Sequence, residues 1–174
     1  VWIFGDLRAH QSDIDTAALF QERIGSLVEG EVFIQREIDR QPQEAMGLVV
    51  DKDGLVVLLE GALPHWLPPR QFKEFKAYLP GKGGDGYEAE YLGQDYLSGW
   101  HYLRVEESVW PRLPPVAAFP VSEPAIGQEI WGIGLLGEEF DYQPYFLRGG
   151  LSVVQKLPQR VGFSETDVAV PGGP

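Results

Sequence analysis

Cysteine is absent from the 174 residues of this chain, and basic residues are scarce. The lack of cysteine excludes disulfides, thiolate metal sites and a cysteine nucleophile. The chain has 14 lysine and arginine residues against 26 acidic ones, which gives a formal net charge of −12. Such an acidic surface repels phosphate groups and disfavours nucleic acid and anionic membranes as partners. No apolar run reaches the roughly 18 residues that a membrane-spanning helix needs.

Glycine and proline, by contrast, are frequent, with 21 and 14 residues, and hydrophobic residues make up 44% of the chain. The hydrophobic fraction predicts a globular protein, and the length suffices for one domain with a sizeable core or for two small packed barrels. Frequent glycine and proline favour many short strands separated by turns.

Apolar periodicity predicts one helix followed by strands. The helix is expected over residues 12–27, with Ser12 or Asp13 as its N-cap and Gly25 at its end. The clearest hairpin joins residues 46–50 to 55–59, because the Asp53-Gly54 pair between them provides the positive φ that a tight turn requires. Further strands are predicted at residues 27–38, 72–79, 87–92, 100–105, 129–133, 145–154 and 163–168. This order predicts all-β barrels or a sandwich.

Four segments resemble a trypsin-like serine protease domain of the bacterial HtrA/Deg type. They are GLVVDKDGLVV at 47–57, YEAEYLGQD at 87–95, EIWGIG at 129–134 and TDVAVPGGP at 166–174. The resemblance implies an all-β fold, a trypsin-like double β-barrel with a short N-terminal helix. Residues 1–26 would form an N-terminal extension, 27–110 the first barrel, 111–124 a proline-rich connector and 125–174 the second barrel. Because the family continues beyond the Gly-Gly-Pro motif, either the second barrel is incomplete or the chain is cut there.

The positions that the resemblance assigns to the catalytic triad hold other residues. A triad needs a nucleophilic hydroxyl, an imidazole that accepts its proton and a carboxylate that orients the imidazole. The family's histidine position matches Gly61, and its aspartate position matches Gly99. The nucleophile loop retains Gly172 and Gly173 but has no Gly-Asn-Ser before them. Since glycine has no side chain that could act as acid, base or nucleophile, no catalytic residue is expected.

The alternative is a diverged serine endopeptidase that uses a displaced histidine and serine. His65 follows Gly61 by four residues, but its proline-bracketed loop is typical of a surface histidine. His101 alternates with aromatic residues in a predicted strand, which is typical of a strand histidine with one face in solvent. His10 is the third imidazole of the chain.

The serines offer no better basis for that alternative. Ser98 is typical of a turn residue. Ser164 is expected to border a strand. Neither lies in a nucleophile loop.

Other motifs point to turns rather than to ligand sites. A dinucleotide site needs a G-x-G-x-x-G turn that opens a helix, but the pattern at residues 81–86 leads into a predicted strand. The second pattern, at residues 132–137, leads into acidic residues that would repel phosphates. The calcium-loop-like start at 51–54 has Ala62 where an EF-hand needs glutamate. Glu138, Glu139 and Asp141 are interpreted as a solvated charge run, with a weak divalent-cation site as the alternative. We expect no metal and no cofactor.

The sequence therefore predicts a catalytically inactive trypsin-like domain that binds protein or extended peptide through exposed strand edges. The resemblance also implies an exported, periplasmic setting, a homo-oligomer such as a trimer, and downstream PDZ domains. A regulatory partnership with an active protease homologue is a third hypothesis.

Overall fold

The computed structural model describes residues 2–3, 15–35, 39–58, 62–64, 66–95, 97–116, 125–157 and 160–164. The elements in chain order are β1 (Trp2–Ile3), α1 (Thr16–Ile24), β2 (Leu27–Gln35), β3 (Arg40–Val49), β4 (Leu55–Leu58), β5 (Phe72–Tyr78), β6 (Tyr87–Gln94), β7 (His101–Val105), β8 (Glu129–Leu135), β9 (Pro144–Gly150), β10 (Val153–Leu157) and β11 (Arg160–Ser164). Three short 3₁₀ turns occupy Pro69–Gln71, Glu107–Arg112 and Glu138–Phe140.

Six antiparallel strands form a closed barrel in the order β2-β3-β4-β7-β6-β5, with β5 pairing back onto β2. Alternate residues of these strands point inward and form one apolar core, as the period-two pattern predicts. The core includes Val28, Val32, Val56, Leu58, Leu103 and Val105, each at most 1% exposed. Gly47 lies where a Cβ would stand 2.5 Å from Val56 Cγ1. Only glycine therefore allows the close approach of β3 and β4 at this point.

The hairpin between β3 and β4 forms as predicted. Val50 N donates to Leu55 O at 2.9 Å, and Asp53 N donates to Asp51 Oδ1 at 3.1 Å. Gly54 adopts a φ of +69°. The turn thus uses the Asp-Gly chemistry that the sequence indicates.

Helix α1 is shorter than predicted. Asp15, not Ser12 or Asp13, is its N-cap, and Asp15 Oδ1 accepts hydrogen bonds from the backbone of Ala17 and Ala18 at 3.1 Å. Satisfying these two N–H groups fixes the start of the helix at Thr16. Residues 11–14 lie outside the described part of the chain.

A second, partial sheet follows the barrel in the order β1-β8-β9, and β10 and β11 form a separate hairpin. The sheet packs on the barrel through a small apolar cluster centred on Leu27, Leu48 and Ile133. From α1, Phe20 adds an edge-to-face contact with Phe146, with ring centroids 5.9 Å apart. The all-β prediction, with one barrel, one short helix and an incomplete second sheet, is confirmed.

Two predicted segments differ in detail. Residues 145–154 form two strands because Leu151 turns inward between them, 2% exposed, and donates its backbone N–H to Gln128 O at 2.8 Å. At the start of the proline-rich stretch, Leu113 is buried in the barrel core, and Val116 N donates to Val49 O at 2.9 Å. This stretch is thus held against the barrel as far as Val116. The domain boundaries stay a prediction.

None of the described helical residues forms a helix long and apolar enough to cross a membrane.

Glu29 is a buried carboxyl group on β2, 8% exposed. Its cross-strand neighbours are Met46 and Tyr78. Burial, followed by the negative charge of Glu44, raises the pKa of Glu29 to about 7. The carboxyl group is therefore largely protonated in the folded protein below neutral pH.

We predict that Glu29→Gln stabilises the protein progressively as the pH rises. The pKa of Glu29 is about 7 in the folded chain against 4.5 as its ordinary value. The folded state binds this proton more tightly, so the wild-type free energy of unfolding falls between these two pH values. Glutamine does not titrate. The gain should grow from under about 1 kcal/mol at pH 5 to about 3 kcal/mol at pH 8, measured by urea denaturation.

The matched control is Glu22→Gln on α1, because the Glu22 side chain is 59% exposed. It should change stability little at either pH. A gain for Glu29→Gln that is the same at pH 5 and pH 8 would contradict the prediction.

Candidate functional site

The turn between β6 and β7 is organised by Asp95. Asp95 Oδ1 accepts a hydrogen bond from Leu97 N at 3.0 Å, and Asp95 Oδ2 accepts from Ser98 N at 3.2 Å. The Ser98 hydroxyl donates to the same Oδ2 at 2.6 Å. The Ser98 hydroxyl, followed by the Leu97 N–H, lowers the pKa of Asp95, since these bonds favour the carboxylate. The Asp95 carboxylate thus stabilises the turn by accepting hydrogen bonds from the residues that follow it.

Gly99 completes this turn with a left-handed backbone. It has a φ of +74°, and its N–H donates to Asp95 O at 2.7 Å. Gln94 Nε2 donates to Gly99 O at 3.3 Å, and Asp95 N donates to Trp100 O at 2.9 Å. Gly99 itself is buried. The backbone at this position is one that residues with a Cβ adopt only at a cost.

Ser98 has no catalytic arrangement. Its hydroxyl donates to Asp95 and accepts from Trp100 N at 3.2 Å. Asp95 is a weak base, because these hydrogen bonds lower its pKa, and the second partner is a backbone N–H that can only donate. The turn role predicted for Ser98 agrees with this geometry.

His101 is buried, and the expectation of a strand histidine with one face in solvent is wrong. The side chain is 1% exposed and sits inside the barrel. Burial lowers the pKa of the His101 imidazole, because desolvation disfavours its charged form. The hydroxyl that lies near it is a phenol: Tyr91 Oη is 2.9 Å from His101 Nδ1. This imidazole is neutral and pairs with tyrosine, not with serine.

The Tyr91–His101 pair is the part of the site that sequence reasoning missed. Tyr91 is opposite Leu103, whereas Gly93 is opposite Tyr102, so an irregularity in register lies between Tyr91 and Gly93. Since His101 lies two residues from Leu103 on the same face of β7, it is the diagonal neighbour of Tyr91, and this pairing depends on a register that the sequence alone does not give. The only signal was Gly93 inside a strand pattern, which suggests a bulge.

Several candidate positions lie outside the described residues: Gly61, His65, His10, Gly172 and Gly173. Ser164 is the last residue of β11, opposite Val153. The structure therefore brings together Asp95, Ser98, Gly99 and His101 at one end of the barrel.

The acidic residues near the second sheet form a charged band. Burial, and then the charges of Glu31, Glu138 and Glu139, raise the pKa of Glu44. Glu31 and Glu44 are directly opposite each other on β2 and β3. Among the described residues, no group of three or more acidic or histidine side chains could hold a metal ion.

Comparison with known proteins identifies the fold. No family model matches the chain, and no curated protein matches it. Among solved structures, the chain is similar to the crystal structure of Deg5, with a TM-score of 0.60 and 23% sequence identity. The fold is trypsin-like, similar to that of Deg5. The match covers 83% of this chain and 66% of the Deg5 chain, so the trypsin-like domain spans slightly less than two thirds of that neighbour. At this identity the likeness shows the fold alone.

We predict that Gly99→Ala destabilises the domain by about 1–2 kcal/mol, because a Cβ at a left-handed position clashes with the following carbonyl oxygen. The measurement is the free energy of unfolding in urea, followed by circular dichroism. Gly150→Ala is the matched control, since Gly150 ends β9 and a Cβ there would meet nothing within 4 Å. Equal effects of the two substitutions would contradict a special role for the Gly99 backbone.

Proposed function

We propose that this chain is a non-catalytic trypsin-like domain that binds extended polypeptide without cleaving it. The observation that carries the proposal is Gly99. It matches the position of the family's orienting aspartate, and it has a left-handed backbone within a closed turn. A triad without this carboxylate loses the group that holds the imidazole in its working tautomer.

The surroundings of Gly99 support the same proposal. Asp95 is the nearest acid in sequence, but its two oxygens are engaged by Leu97 and Ser98. His101 is enclosed in the barrel beside Tyr91. The displaced-residue alternative needs a serine beside a histidine that can accept its proton. In the described part of the chain, the contacts of Ser98 and His101 do not supply that pair.

The strand β9 offers a route for peptide binding. It pairs with β8 from Pro144 to Gly150, and among the described strands it is the edge of its sheet. An extended peptide can add to such an edge through backbone hydrogen bonds. Tyr145 and Arg148 are exposed along this strand and could contact peptide side chains. We propose β9 as the strand that receives the peptide.

The negative charge of the chain favours one class of binding partner. With a net charge of −12, the domain attracts basic polypeptides more strongly than acidic ones. The proposal also includes an exported location and self-association. It further includes a regulatory role as the partner of an active homologue. They rest on the likeness to HtrA/Deg proteases.

We predict that the purified chain does not hydrolyse fluorogenic casein. Without an orienting acid the imidazole is not held in its working tautomer, and the loss of that one triad member already costs about four powers of ten in rate. The measurement is fluorescence release over hours, with trypsin as the positive control. Labelling by a fluorophosphonate probe is measured in parallel. Turnover that a serine-directed inhibitor abolishes would overturn the proposal.

We predict that a fluorescent (Val-Lys)₄ peptide binds and slows hydrogen exchange at the backbone amides of β9. New backbone hydrogen bonds would protect the edge strand, whereas the amides of β4 inside the closed barrel should change little. Mass spectrometry of exchanged samples locates the effect.

The control peptide has the same sequence with alternate backbone nitrogens methylated, so that it lacks donors for strand pairing. Equal binding of both peptides, or protection away from β9, would argue against strand addition.

A further inference from the structure

Glu29 lies between two contacts that hold the second sheet on the barrel. Leu27, two residues before it on the same outward face of β2, shares an apolar cluster with Ile133 of the second sheet. On its other side Glu29 is directly opposite Tyr78, whose ring stacks on Tyr142 with centroids 4.6 Å apart. Tyr142 belongs to the turn between β8 and β9, residues 136–143. A carboxyl group that is 8% exposed thus occupies a contact that is otherwise apolar and aromatic.

The groups around Glu29 are mostly acidic. The titratable or charged groups that strand pairing and electrostatic interaction place near it are Glu31 on β2, Glu44 on β3, Lys76 and Tyr78 on β5, Glu138, Glu139 and Tyr142 in the turn between β8 and β9, and the amino terminus. Lys76 is directly opposite Glu31, and its ammonium group donates to Asp85 O at 2.7 Å. The positive amino terminus favours the ionised form of Glu29, but burial and the Glu44 carboxylate outweigh it. Ionisation of Glu29 is therefore unfavourable while the contact is closed.

Protonation of Glu29 and closure of this contact support each other. Burial, followed by the charge of Glu44, raises the pKa of Glu29 to about 7 in the closed structure. A Glu29 carboxyl that water could reach would return to its ordinary pKa of 4.5. The closed contact therefore binds the proton more tightly than an open one. Closure is favoured most below pH 4.5, and this advantage is lost as the pH rises through 7.

The turn between β8 and β9 is strained, and it is tied to the barrel. Asp141 and Tyr142 have φ of 51° and 53°, left-handed values that residues with a Cβ adopt only at a cost. The ring of Tyr142 stacks on Tyr78, and Gly81 N donates to Tyr142 O at 3.0 Å. Release of the turn from the barrel would therefore relieve backbone strain as well as the burial of Glu29.

The contact with the second sheet is weaker than the barrel itself. Among the described residues, the apolar cluster at this contact has three buried members, whereas the barrel core has sixteen. Both edges of β2 are paired within the barrel. Local opening occurs where few apolar contacts are buried. The sheet contact is thus the part that gives way when Glu29 ionises.

We propose that the contact between the barrel and the second sheet is a pH-sensitive switch that Glu29 operates. The contact is closed while the Glu29 carboxyl is neutral, and it opens when the carboxyl loses its proton. Opening separates Ile133 and Tyr142 from the barrel and leaves the six strands of the barrel paired. This local opening is distinct from the change in global stability predicted above for Glu29→Gln. It does not depend on peptide binding or on the absence of proteolysis.

A single cysteine can report the opening, because the chain has none of its own. Ile133→Cys places a thiol inside the contact, where Ile133 is 3% exposed. Val56→Cys is the matched control in the barrel core, where Val56 is 0% exposed. The rate of reaction with a dithiodipyridine reagent is measured at pH 5 and pH 8. Each variant is compared with the same variant carrying Glu29→Gln, so that the pH dependence of thiol reactivity cancels.

At pH 8 the thiol at position 133 should react on the order of 100-fold faster with Glu29 than with glutamine, and at pH 5 less than about fivefold faster. With Glu29 at pH 8 it should also react faster than the thiol at position 56, and low urea should not change its rate, since a local opening exposes little surface. Equal rates at the two positions would mean that only global unfolding exposes them and would overturn the proposal. A ratio of Glu29 to glutamine that is the same at both pH values would overturn it as well.

Hydrogen exchange of the chain without cysteine gives a second test if Ile133→Cys does not fold. The Gly81 N–H bonds to Tyr142 O across the contact, whereas the Val105 N–H bonds to Gly54 O within the barrel at 3.0 Å. At pH 8 the Gly81 amide should exchange through a urea-independent opening, and Glu29→Gln should slow it on the order of 100-fold. One common opening free energy for both amides would contradict the switch. Neither test uses casein or peptide, so this proposal and the proposed function fail separately.

Discussion

Barrel closure depends on β2, which pairs with β3 on one side and with β5 on the other. Because both edges of β2 are occupied, the six strands have no free edge and enclose one core. The same strand provides Leu27, which packs on the second sheet, and Glu29, which is buried with a raised pKa. The barrel and its contact with the second sheet thus share one strand.

Closure also fixes the ends of β6 and β7, where the candidate site lies. The register shift between Tyr91 and Gly93 accompanies the approach of Tyr91 to His101, inside the barrel. Immediately beyond β6 the chain enters the Asp95 turn, whose polar groups bond to one another. The end of the barrel therefore places a closed hydrogen-bonded turn directly beside the Tyr91–His101 pair.

Much of this fold could be predicted from local signals. The Asp-Gly hairpin, the strands near residues 72–79 and 87–92 and the all-β class follow from turn chemistry and period-two alternation, which act within a few residues. The burial of His101 could not be predicted, because Trp100 and Tyr102 alternate with it, so the sequence did not show which face of β7 lies inward. The burial of Leu113 could not be predicted either, because this residue lies in a proline-rich stretch that the sequence indicates as a connector. The left-handed backbone of Gly99 is visible only in the structure. The sequence showed only that a glycine occupies the position that the resemblance assigns to the aspartate.

The Asp95 turn limits what a single substitution at Gly99 can achieve. An aspartate at position 99 would meet a backbone with φ of +74°. It would also enter a loop whose hydrogen bonds are already satisfied by Ser98 and Trp100. Placing a carboxylate here by design would therefore begin with a new loop backbone, and the side chain would come second.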